Sequence, residues 1–156
     1  MLWLVATTPL SAQAWITAPA TPMPERHLAS VAYDPAAARA AVFSGNTLLA
    51  DTWSLQDGQW TDLTGPIAPP PRSSGAMAYD PVTGGLLLFG GSASGTDSLL
   101  LGDTWLLLGN TWQPLSPSNS PTARWAHAMV YDQAAGRVVL YGGRDVSGLG
   151  ATIGWQ

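Results

Sequence analysis

Short apolar runs, some alternating and some continuous, follow one another along the whole chain with glycine, proline and aspartate between them. Runs of this length bounded by turn formers predict β-strands rather than helices. First strands are expected at about 28–33, 75–79 and 126–131, and second strands at 40–43, 86–89 and 138–141. Between them Asp34-Pro35 and Asp80-Pro81 start turns, since aspartate bonds its own backbone and proline presets φ. Third strands carry Asp51-Thr52-Trp53 and Asp103-Thr104-Trp105 and continue to Leu55 and Leu108. Asp57-Gly58 and Gly109-Asn110 suit the tight hairpin tips that follow, and fourth strands begin at Trp60 and Trp112. The proline-rich stretches 65–71 and 114–121 are connectors, because proline cannot extend a ladder.

These elements recur in register. Arg26, Arg72 and Arg124 each stand seven residues before Tyr33, Tyr79 and Tyr131, and each tyrosine precedes an aspartate: Asp34, Asp80, Asp132. Nine residues further come Phe43-Ser44-Gly45, Phe89-Gly90-Gly91 and Tyr141-Gly142-Gly143, so arginine to last glycine spans 19 residues in every copy (26 to 45, 72 to 91, 124 to 143). Asp51 and Asp103 open the Asp-Thr-Trp blocks, and Trp53 and Trp105 are followed seven residues later by Trp60 and Trp112. Only the segment between the glycines and the Asp-Thr-Trp block changes length, which makes 92–101 the long version of a variable loop.

Four antiparallel strands per unit of roughly 50 residues, with a glycine pair, resembles the Kelch-type β-propeller repeat. The likeness rests on Gly90-Gly91 and Gly142-Gly143, the three tyrosines, the paired tryptophans, and His127 placed three residues after Arg124. Departures are Ser44 in place of a first glycine, and no histidine at the matching places of the other two units. The resemblance, which extends to the propeller of galactose oxidase, implies an all-β fold of about three blades, a partial ring. Residues 24–69 and 70–121 form whole blades, 122–156 an incomplete one, and 1–23 contributes strands three (2–6) and four (15–17) of a first blade. Ala12-Gln13-Ala14 also fits a signal-peptidase site, so the same front segment has a second reading as a secretion leader, which would put the protein outside the cell. The tail 149–153 aligns with the start of a third strand. Propellers close with four to eight blades. The remaining blades would come from a longer chain, or from a second copy completing a six-bladed ring, with the front half-blade of one copy joined to the back half-blade of the other.

Composition removes whole classes of chemistry. Ten acids against six arginines and no lysine give a net charge of −4, opposite to what phosphate-dependent nucleic-acid binding needs. Zero cysteines exclude disulfides, thiolate metal sites and a cysteine nucleophile, as well as the cysteine–tyrosine cross-link of galactose oxidase copper chemistry. No apolar run reaches the length of a membrane span. The two histidines, His27 and His127, occupy different repeat positions and lack spaced carboxylates, so no metal or other cofactor is expected. Glu25 is the only glutamate and has no partner carboxylate at repeat spacing.

Two arginine readings follow. Because arginine forks onto carboxylates, the three could converge on an acidic sugar near the ring axis, as in sialidase propellers, although the Ser-x-Asp-x-Gly-x-Thr-Trp box of that family is missing. The other reading pairs each with an aspartate such as Asp51 or Asp103, as a structural feature repeated with the unit. The expected function is a non-catalytic binding or scaffold module for a protein or glycan ligand. Its candidate residues are Ser92, Ser94 and Asp97 in the long loop, Arg144 and Asp145 in its counterpart, and Trp125 and His127. A sugar-active hydrolase or lyase using axial arginines, and a purely structural segment of a larger surface protein, are the alternatives.

Overall fold

The computed structural model describes residues 22–147 in full, together with the backbones of Trp3–Val5, Trp15–Thr17 and Ile153–Gly154. The leader-like triplet at 12–14 and the tail at 149–152 lie outside the described residues. All described elements are strands. β1 (Trp3–Val5) and β2 (Trp15–Thr17) form an antiparallel pair. β3 (Ser30–Asp34), β4 (Arg39–Phe43), β5 (Thr52–Gln56) and β6 (Gln59–Asp62) form a four-stranded meander in chain order. β7 (Ala76–Asp80), β8 (Gly85–Phe89), β9 (Thr104–Leu108) and β10 (Thr111–Leu115) repeat it, and β11 (Trp125–Asp132), β12 (Arg137–Arg144) and β13 (Ile153–Gly154) make a third, shorter copy. Every neighbouring pair is antiparallel. Successive meanders stacked face to face are the arrangement of propeller blades, here as an arc that does not close.

The sheets pack through their faces. β8 (GLLLF) is buried along its whole length because the third sheet of the chain is sandwiched between neighbours. Leu86 and Leu88 join Ala41, Phe43, Met77, Leu107 and Trp112 on one side, while Leu87 meets Ala78, Leu106 and Val138 on the other. Trp112 is the largest fully buried side chain among the described residues; its ring meets Phe43 edge-on at 5.2 Å, and its Nε1–H donates to Thr52 Oγ1 of the preceding sheet at 2.8 Å. Repeat tyrosines Tyr79 and Tyr131 pack against these two cores, whereas Tyr33 is exposed.

The inner strands β3, β7 and β11 adjoin one another. Near their starts they share a feature without a glycine signature: Leu28, Ser74 and Ala126, all two residues after a repeat arginine, have φ of 58°, 53° and 54°, just ahead of β3 and β7 and at the second residue of β11. L-residues visit this region rarely and need their surroundings to hold them there. Here the surroundings are one another, since Ser74 N–H donates to Leu28 O and Ala126 N–H to Ser74 O, each at 2.8 Å. The left-handed residue explains why β3 begins at Ser30 rather than at 28. Next to this seam, Gly45 and Gly91 donate their N–H groups to Arg72 O (3.0 Å) and Arg124 O (2.8 Å) of the next sheet. Gly91 has φ of +108°, and a Cβ there would stand 2.9 Å from Ser73 O, so only glycine fits.

Candidate functional site

The repeated arginines are built into the sheets. Arg26 places Nη1 and Nη2 each 2.7 Å from the two Asp51 carboxylate oxygens, and Arg72 does the same to Asp103 at 2.8 Å. Nη1 also donates to the carbonyl of the first glycine-pair residue, Ser44, Gly90 or Gly142, at 3.0, 2.9 and 2.9 Å. Nε donates two residues back, to Pro24, Pro70 or Thr122. The tryptophan two residues after each aspartate completes the cluster: Trp53 Nε1 reaches Asp51 at 2.8 Å and Trp105 Nε1 reaches Asp103 at 2.6 Å. This explains the Asp-x-Trp spacing chemically, because one carboxylate accepts a guanidinium fork and an indole N–H together. In the last sheet Arg124 turns to Thr122 Oγ1 at 2.7 Å, with the Asp145 carboxylate 3.8 Å away.

Burial pushes the Asp51 and Asp103 pKa values up, but the arginine and tryptophan donors and the guanidinium charge outweigh it and hold both below the usual 3.8. Arg72 is fully buried and Arg124 nearly so. The three guanidinium groups are thus engaged by carboxylates and carbonyls of their own units, and do not converge on one open pocket.

A different cluster lies at the loop end of the last two sheets. The segment 92–101 folds back on itself, with Ser92 bridging to Ser73 and Leu100. Asp97 accepts the Trp125 indole N–H at 2.6 Å on one carboxylate oxygen and pairs with Arg144 at 2.9 Å through the other. Asp97 and Arg144 keep 46% and 60% of their side-chain surface open to water, so this indole–carboxylate–guanidinium row is accessible. The hydroxyls of Ser94, Thr96 and Ser98 lie within 3.1 Å of one another in the adjoining loop. Asp145 is held by Ser147 and Thr122; the Ser147 hydrogen bonds lead in drawing its pKa below 3.8.

Trp125, Ser94, Asp97 and Arg144 are thereby brought onto one surface, with Asp145 on the following turn. Two expected members are not at that surface. Ser92 is completely buried, and its Oγ accepts the N–H groups of Ser94 and Thr96, so it shapes the loop from inside. His127 is buried between sheets, its ring edge-on to Phe89 at 5.6 Å, with no hydrogen-bond partner on either nitrogen. Burial, reinforced by the Arg124 charge, lowers its pKa from 6.5 to about 4; the Phe89 backbone pulls the other way without forming a hydrogen bond. The ring is therefore neutral at pH 7. One residue not among the sequence candidates carries an unexpected contact: Arg39 reaches the hairpin tip of the next sheet, donating to Asn110 Oδ1 at 2.6 Å and to Gly109 O. Among the described residues no group of three or more His, Asp or Glu side chains could hold a metal, and no helix is long and apolar enough to cross a membrane.

Comparison with known proteins gives one type of likeness. No protein-family model and no curated protein matches the sequence. Among solved structures, one titled "Structure of YjhT" superposes with a TM-score of 0.69 at 16% sequence identity, over 97% of this chain. The likeness is one of fold. The chain spans 48% of the YjhT chain, about half its length.

Proposed function

We propose that the chain is a non-catalytic, Kelch-type propeller segment that binds a protein or glycan ligand through the loops at the 92–101 end of its sheets. One observation carries this reading: the buried arginines are committed to their own sheets, while the exposed polar chemistry collects at Trp125, Asp97 and Arg144. A sugar-active site built on axial arginines would need those guanidinium groups turned toward solvent and a common ligand, and Arg72 has no exposed surface. The accessible row has the composition of a recognition surface, an aromatic flanked by an arginine and hydroxyl donors on loops over a rigid sheet scaffold. The test compares ligand capture by the wild-type chain with a variant in which 92–101 is shortened to the length of the 45–51 loop, using a glycan array and cross-linking capture from cell extracts. Loss of the captured ligand with an unchanged melting temperature supports the reading. Undiminished capture would place the site elsewhere.

A further inference from the structure

An indole N–H and a guanidinium hold one carboxylate at Asp51, at Asp103 and again at Asp97. The first two sets are built into their sheets, from Trp53 with Arg26 and from Trp105 with Arg72. Asp97 takes the same donors from Trp125 at 2.6 Å and Arg144 at 2.9 Å, but its members come from different places. The aspartate rides on the loop that leaves β8, whereas Trp125 opens β11, Arg144 closes β12, and the two stand opposite each other across that strand pair. The donors therefore keep their spacing without the loop, and the carboxylate is the part that can leave. Both members of the ion pair are largely open to water, where such a pair adds little stability. Arg72, by contrast, is fully enclosed.

The loop is built to lift at its tip. Its roots are tied by backbone bonds: Ser73 and Ser92 exchange theirs at 3.0 and 2.9 Å, Ala93 N–H donates to Leu99 O at 2.9 Å, and Leu101 N–H to Gly91 O at 2.8 Å. The tip, 94–98, turns at Gly95 with φ of +72°, and the Ser94, Thr96 and Ser98 hydroxyls knit it into one piece. Asp97 fastens that piece to β11 and β12. Beneath it lies the Ser73 hydroxyl, 3.8 Å from where a Cβ on Gly95 would stand, buried and without a hydrogen-bond partner. A covered, unpaired hydroxyl disfavours the closed tip, and lifting the tip gives Ser73 a group to bond.

We propose that Trp125 and Arg144 form a binding site for the carboxylate of an acidic peptide, which Asp97 occupies from within until the peptide displaces the loop tip. The inference rests on the reading of this face as the ligand surface and names what that surface takes. The present occupant argues for a peptide, since it is an aspartate carried on a Ser-Gly-Thr-Asp-Ser turn. The lifted tip then faces the peptide with its three hydroxyls, so the loop contributes contacts while its own carboxylate competes. A tethered competitor acts at an effective concentration in the millimolar range, which makes a lone free carboxylate a weak ligand and a peptide with further contacts a stronger one.

The test uses the whole chain and a capped peptide of residues 94–98, with its Asp97→Asn counterpart, acetate and glucuronate as further probes. Binding is followed by the Trp125 indole N–H resonance, assigned with Trp125→Phe. In the chain, Asp97→Ala should shift that resonance, and the aspartate peptide should return it toward the wild-type position, as acetate should at higher concentration. The peptide should bind Asp97→Ala about tenfold more tightly than wild type, because the internal competitor is gone. Adding Arg144→Ala to Asp97→Ala should weaken it about tenfold. Equal affinity for wild type and Asp97→Ala, equal binding of the asparagine peptide, or tighter binding of glucuronate than of the peptide would each overturn the inference. Shortening 92–101 separates this from the parent reading, because it removes the tip hydroxyls as well as Asp97. Loss of the captured ligand on shortening, with no gain in Asp97→Ala, keeps the ligand surface and refutes the carboxylate assignment.

Discussion

Asp103→Asn removes the charge that Arg72 was built around while leaving the shape of the site unchanged. The carboxylate accepts three donors, Arg72 Nη1 and Nη2 at 2.8 Å and Trp105 Nε1 at 2.6 Å, and the guanidinium it neutralises has no exposed surface. An amide keeps one acceptor oxygen for the indole but turns an N–H pair toward the guanidinium. Breaking a buried pair by removing one partner costs about 3–5 kcal/mol. Since 35% of the Asp103 side chain is open to water, which screens the stranded charge, the low end applies, about 3 kcal/mol. For a chain of this size that corresponds to a fall in Tm of roughly 6–12 °C, read by calorimetry and by tryptophan fluorescence in urea. Arg72→Met with Asp103→Leu removes both charges and should recover most of the loss, because apolar replacement of a buried pair is commonly neutral. A single variant melting within about 2 °C of wild type, or a double variant no better than the single, would refute a structural role for the arginine fork.

Three further outcomes follow from the geometry. Thr52→Val leaves the Trp112 indole N–H buried without an acceptor and should cost about 1–3 kcal/mol in urea unfolding. Gly91→Ala combines a φ of +108° with a Cβ 2.9 Å from Ser73 O, and should lose roughly 1–3 kcal/mol in the same assay. His127 is held neutral with a folded pKa of about 4 against 6.5 unfolded, so the unfolded chain takes up the proton first; its contribution is complete above about pH 6.5 and drains away as pH falls toward 4. That loss amounts to roughly 3 kcal/mol, and His127→Phe should flatten the stability profile over this window. The lowered Asp51 and Asp103 values act only at lower pH, below the unfolded carboxylate value of 3.8, where their stabilisation is lost as pH falls through the folded pKa.

The repeat was legible because its spacing is chemical: the guanidinium fork, the carboxylate and the indole must meet, so Arg72, Asp103 and Trp105 keep their register. The left-handed residues Leu28, Ser74 and Ala126 left no trace, since glycine is the usual sign of positive φ and here hydrogen bonds between sheets hold ordinary side chains there. Arg39 was invisible for a similar reason, because its partners at the Gly109–Asn110 tip belong to another sheet some 70 residues away in sequence. His127 stood at a strand start and was grouped with the surface residues, yet the preceding sheet packs on it through Phe89. Trp125 and Asp97 meet only because the long loop folds back over β11. The break in repeat phase at Trp125, where the other units have His27 and Ser73, was the one sequence sign of that contact.

The loop-end surface and the buried arginines make opposite predictions in one titration. Once a ligand is captured by the wild-type chain, its binding curve is measured against Trp125→Ala, Arg144→Ala and Arg72→Met, with each fold checked by circular dichroism. Binding through the loop face predicts that the two surface variants lose affinity at an unchanged Tm, and that Arg72→Met loses stability while its folded fraction binds normally. Full affinity in both surface variants, with binding lost in folded Arg72→Met, would contradict it and return the site to the arginines.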